Sequence, residues 1–139
     1  TLKPLERIVD MSHFTTIETQ IRDIAALKAA CAELGVGLEA GAEARGYGRR
    51  QVRGDYVVRL TGPFDIAADR MPDGGYRLTT DWWSGHVEKE VGKNYGRLLQ
   101  LYGVHKAQIE ARRKGLSTQR RTLADGSVKL VIGVIGGVA

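Results

Sequence analysis

The sequence predicts an α+β domain. The expected form is an antiparallel sheet of about five to seven strands with two helices on one face, in the order β-α-β-β-β-β-α-β-β. Three observations carry this. Two segments place apolar residues at helical spacing, while most of the others alternate with the period of a strand. Consecutive strand segments are joined by short turn sequences, which pairs neighbours antiparallel. A chain of 139 residues, 42% of them hydrophobic, is long enough for one ordinary core.

The elements follow in order. His13–Ile21 alternates and is rich in Thr, Ile and Phe, as a half-buried strand is. Asp23 stands where an N-cap carboxylate accepts from the free amides of a first helical turn. Ile24, Leu27, Cys31 and Leu34 then form one apolar stripe, and Gly35 supplies the C-terminal stop. Val36–Ala40 suits a short strand leaving that helix. Gly41–Gly54 carries Gly41, Gly46, Gly48 and Gly54 with Arg45, Arg49, Arg50 and Arg53, and it lacks clear periodicity. It is expected to be a mobile surface loop or a loosely formed hairpin.

Asp55–Thr61, Phe64–Asp69 and Tyr76–Trp82 read as three more strands, the last two flanking the turn sequence Met71-Pro72-Asp73-Gly74-Gly75. From Gly85 the period becomes helical. Val87, Val91, Tyr95, Leu98, Tyr102, His105 and Ile109 advance by three or four. Gly92, Gly96 and Gly103 weaken this helix by about 0.8–1.0 kcal/mol each relative to Ala, so a kinked or split helix is expected before Gly115 stops it. Thr118–Leu123 and Ser127–Ile132 flank Ala124-Asp125-Gly126, a second hairpin. The internal Met11 opens the first strand segment, so Thr1–Asp10 is expected to be an upstream extension or a remnant of processing, with 11–139 a single domain.

Composition narrows the function classes. One cysteine, Cys31, excludes an internal disulfide framework and any multi-cysteine metal site, and makes a reducing, cytoplasmic compartment the default. No apolar run approaches the roughly 20 residues of a membrane span. A net charge of +5 favours acidic partners, whether nucleic acid, an acidic protein face or anionic lipid.

Three blocks carry a resemblance: MSHFTTIETQIRDIAALKAACAEL over Met11–Leu34, FDIAADRMPDGGYRLTTDWW over Phe64–Trp83, and DGSVKLV over Asp125–Val131. Together they resemble the small uncharacterised family of hypothetical plastid reading frame thirty-five, over about Met11 to Val134. The chain departs from that pattern in the arginine content of Gly41–Gly54 and in a tail, Gly133–Ala139, that lacks an aromatic or basic ending. The resemblance implies an accessory or assembly factor working beside a partner such as an AAA-type ATPase, in the cytoplasm or, for a plastid-encoded chain, the stroma. It implies no reaction, no cofactor and no catalytic residue.

The residues themselves suggest three function classes. The first is binding to another protein, through Asp81, Trp82 and Trp83 and through the terminal strand with Leu130 and Ile132. Adjacent tryptophans on a strand face opposite sides, so one is expected in the core and the other at a surface, where indole is a common anchor. A terminal strand apolar on both faces must lie centrally in a sheet or be covered by another chain. The second class is binding to RNA or DNA, through Arg45, Tyr47, Arg49, Arg50 and Arg53 and through Arg112, Arg113, Lys114, Arg120 and Arg121. Cations at the end of a helix also have a purely structural use. The third class, an enzyme or ligand-binding domain around Asp81, Trp83 and His86, has the least support, since His86 and Glu90 share only a four-residue spacing. No metal site is expected. His105 on the apolar stripe and Cys31 on the first helix read as core residues.

Overall fold

The computed structural model describes residues 14–134. The expected upstream extension, the first residues of the opening strand segment and the tail beyond Val134 lie outside the described residues. The elements are β1 (Phe14–Glu18), α1 (Ile24–Leu34), β2 (Gly37–Arg45), β3 (Gln51–Arg59), β4 (Ile66–Arg70), β5 (Tyr76–Asp81), α2 (Glu88–Val91), α3 (Gly96–Arg113), β6 (Leu116–Thr122) and β7 (Val128–Val134). Five strands form one antiparallel sheet in the order β1-β5-β4-β3-β2, and β6 and β7 form a separate two-stranded sheet. The fold is α+β, as the turn sequences and the change of period predict.

α1 begins where its local chemistry says it should. Asp23 accepts from the amides of Ala25 and Ala26, and Gly35 closes the helix in the left-handed conformation at φ +80°. The Tyr102 hydroxyl on α3 accepts from the amides of Arg22 and Asp23, tying the start of α1 to the second helix. Ala26, Leu27, Ala30 and Cys31 pack with Leu98, Leu101 and Tyr102 of α3 over Val58, Ile66, Ala68 and Leu78 of the sheet. This is the main core. Inside it, burial pushes the Cys31 thiol up to about 12, which keeps it protonated and inert at neutral pH.

The expected long helix is divided. A single turn at Trp83–Gly85 precedes α2, and a second turn at Lys93–Tyr95 precedes α3. Gly92 sits at φ +86°, and a Cβ there would lie 2.8 Å from the Arg97 amide nitrogen, so the break requires glycine. Two positions just beyond Lys93 also take a positive φ. Asn94 (φ 53°) and Tyr95 (φ 67°) both adopt the left-handed region, which is costly for a bulky aromatic. Tyr95 is fully buried against Trp82, with ring centroids 4.8 Å apart.

Residues 41–54, expected as a mobile loop or a loose hairpin, are the outer half of a regular hairpin. β2 pairs with β3 from Gly37↔Arg59 to Arg45↔Gln51. The hairpin bends at Gly41 (φ +55°) and Gly54, where a Cβ would lie 2.6 Å from the Tyr56 carbonyl oxygen and 2.9 Å from the Ala67 side chain. Beyond the bend, Ala42, Ala44 and Val52 fold against Val57 and Ala67 on the face of the sheet opposite the helices. The alternation changes phase there, since Val52 and Val57 face one cluster although five positions separate them. The hairpin thus roofs the far face over β3 and β4 with its own small core.

Candidate binding surface

Two buried carboxylates hold the roof down. Asp65, at the entrance to β4, is fully buried. Its Oδ2 accepts from the Arg45 amide (2.9 Å), Arg45 Nε (2.8 Å) and an Arg59 Nη (2.7 Å). Its Oδ1 accepts from an Arg45 Nη (2.8 Å) and the Leu60 amide (3.2 Å). Burial alone would raise this carboxyl, but the Arg45 and Leu60 hydrogen bonds and the nearby positive charge hold it below the ordinary carboxylate range. Arg45 also donates to the Leu60 and Gly62 carbonyls, and the Arg45 carbonyl accepts from the Asp65 amide. On α2, Glu90 accepts from both the amide and hydroxyl of Thr61 and from the Gly62 amide, fixing the neighbouring loop.

Asp81, at the end of β5, is the second anchor. It is fully buried; one carboxylate oxygen accepts from the Tyr47 amide at 2.8 Å and the other from the Trp83 amide at 2.9 Å. A Cβ at Gly46 would run into the Phe14 ring, so glycine lets the hairpin tip settle over β1 and β5. Tyr47 and Trp83, 44% and 45% exposed, meet edge to face with centroids 4.7 Å apart. His86 stands 6.4 Å from Trp83 and 5.2 Å from the buried Phe64, centroid to centroid. Beside the tip lies a recess of about 340 Å³ lined mainly by Arg45, Arg49, Arg50 and Gln51 with Gly46 and Gly48. The glycine-arginine segment and the tryptophan corner, separate in sequence, are one surface.

Trp82 packs on the main core and Trp83 faces outward. The reason differs from strand alternation: β5 ends at Asp81, and the chain turns through Trp82 into the Trp83–Gly85 turn. Arg45 is committed to Asp65, and Arg53 lies 3.5 Å from Glu43. Arg49 and Arg50 are exposed and make no ion pair among the described residues. The second arginine group is split. Arg112, Arg113 and Arg121 are exposed, whereas Arg120 forms a two-pronged pair with Glu33 at 2.8 and 3.1 Å, which holds that carboxyl below its ordinary range. His105, expected as a core residue, is only partly buried and bonds Glu33 at 2.7 Å.

The terminal strand is not central in the main sheet. β7 pairs only with β6 among the described residues, in the register Ile132↔Thr118 and Leu130↔Arg120. Leu130 is half-buried; Val131 and Ile132 are 39% and 49% exposed, and Leu123 is exposed at the turn. Ile132 also borders a recess of about 150 Å³ with Ala107, Ala111 and Lys114.

Among the described residues, no group of three His, Cys, Asp or Glu side chains is arranged to hold a metal ion. Asp81 and Glu90 hold backbone amides, and His86 packs among rings. Sequence reasoning missed Arg59 and the anchoring role of Asp65, which it could pair with Asp81 only as an imagined acid/base couple. A lone acid within the apolar run Phe64-Asp65-Ile66-Ala67-Ala68 was the available signal, since a charge buried there must be paired.

Fold and site define a small α+β domain with a fixed aromatic-basic surface at one end of its sheet. The chain belongs to the family described as Protein of unknown function (DUF1257), whose model matches residues 30–131. Its resemblance to a family without an assigned activity is borne out at that level. No curated protein and no solved structure matches the chain. No helix among the described residues is long and apolar enough to cross a membrane.

Proposed function

We propose that the protein is a non-enzymatic accessory or assembly factor that acts by binding a protein partner. The observation that carries this reading is the β6–β7 hairpin. A two-stranded hairpin is marginal by itself. This one leans on α3 and on the Glu33–Arg120 pair, yet leaves Val131, Ile132 and Leu123 exposed beside a strand edge unpaired among the described residues. Apolar side chains beside open main-chain donors and acceptors suit strand addition by a partner, with backbone hydrogen bonds supplying affinity and the side chains specificity. An AAA-type ATPase is the partner suggested by the family resemblance, in the cytoplasm or the plastid stroma.

The test is capture of the intact protein with its partners from its own cells, half of the sample being treated with nuclease. A stoichiometric protein that survives nuclease and is lost in Val131→Lys is the expected result. Val131 is chosen because it does not border the α3 recess, so the variant should stay folded by circular dichroism. Loss of every partner on nuclease treatment, or capture unaffected by Val131→Lys, would overturn the reading.

A further inference from the structure

The aromatic-basic end of the sheet is distinct from the β7 surface and has its own chemistry. Tyr47 and Trp83 each leave nearly half their surface exposed, and their backbone amides are held by the same buried Asp81 carboxylate. Their positions are therefore fixed before any ligand arrives, so little ordering cost falls on binding. The adjoining recess has Arg45, Arg49 and Arg50 in its lining and no acidic residue. The charge of Arg45 is already matched by Asp65. Arg49 and Arg50, exposed and without an ion pair among the described residues, remain to meet an anion.

From this juxtaposition we infer that the hairpin tip binds single-stranded nucleic acid, with phosphodiesters on Arg49 and Arg50 and an unstacked base against Trp83 and Tyr47. Flat rings beside guanidinium groups match the two repeating parts of a single strand, its base faces and its phosphates. A duplex offers the phosphates but keeps its base faces stacked. An acidic peptide uses the arginines but has no regular need of the ring pair. Recognition of this kind tolerates sequence, because every base has a π face.

The test is fluorescence anisotropy of a labelled oligouridylate of about a dozen nucleotides with the full chain, over a range of salt concentrations. Trp83→Ala is expected to weaken binding about 5- to 150-fold, with Trp83→Phe retaining most of it. Replacing both Arg49 and Arg50 with Ala should reduce the slope of log affinity against log salt by about 1.4, or about 0.7 for each lost phosphate contact. Circular dichroism of each variant checks the fold, and Val131→Lys should bind the strand as the parent does. No binding at low salt, or equal binding by Trp83→Ala, would overturn the inference. So would a duplex of equal length competing as well as the single strand, or uridine monophosphate doing so at equal phosphate concentration. Binding of labelled polyglutamate that is lost when Arg49 and Arg50 are both replaced with Ala, with no affinity for the oligonucleotide, would assign the face to an acidic protein instead.

Discussion

Asp65→Asn separates a structural anchor from a decorative ion pair. The substitution keeps the shape but removes the charge and turns one acceptor into a donor, against a carboxylate that now receives five hydrogen bonds. Breaking one side of a buried pair typically costs about 3–5 kcal/mol. Here the side chains of Arg45 and Arg59 are 43% and 29% exposed and regain some hydration, which favours the lower end, about 3 kcal/mol. For a chain of this length that is a fall in Tm of about 10 °C. Urea unfolding followed by far-UV circular dichroism should show the midpoint falling with the m-value unchanged. A loss below about 1 kcal/mol would refute the argument and place the pair with surface contacts. The pH profile gives a second check. Asp65 has its folded pKa below the unfolded value of about 3.9, so its contribution is complete above that pH and is lost as pH falls through the folded value. Parent and variant should therefore differ at neutral pH and converge in acid.

Three further substitutions probe the divided helix. The Tyr95 hydroxyl is the one buried side-chain polar atom without a hydrogen-bond partner among the described residues, so Tyr95→Phe should be neutral or stabilising in the same urea assay. A loss of more than about 1 kcal/mol would mean that the hydroxyl has a partner. Gly92→Ala must place a Cβ 2.8 Å from the Arg97 amide at φ +86°, and should cost about 1–3 kcal/mol, whereas Gly103→Ala on the exposed face of α3 should gain up to about 1 kcal/mol. Equal effects from the two would contradict the assigned break.

What was legible in the sequence was local. Asp23, the stripe from Ile24 to Leu34 and Gly35 define α1 within one continuous segment, and the Asp125-Gly126 turn defines the β6–β7 hairpin in the same way. The outer half of the β2–β3 hairpin was obscure for a physical reason. The bend at Gly41 and Gly54 shifts which residues face inward, and the cluster it forms is made largely of alanines, which carry little pattern. The split of the long helix could be anticipated from its glycines, but its place depends on the left-handed Tyr95, a conformation that Asn94 accepts readily but propensity would not select for a tyrosine. The outward tryptophan could be foreseen; its contact with Tyr47 could not, because it depends on Asp81 reaching across the sheet to the hairpin tip.

The roofed sheet also decides where this protein can vary. Its helical face is closed by α1 and α3, and the region over β3 and β4 is closed by the chain's own hairpin. Neither broad surface can be altered without disturbing a core. The tip carrying Arg49 and Arg50 is different: it is secured by the main-chain contact of Tyr47 to Asp81 and by Arg45 behind it, so the outward side chains of Arg49 and Arg50 are mechanically independent of what secures them. Substitution there can retune recognition while stability stays put, much as a tool head is exchanged on an unchanged handle.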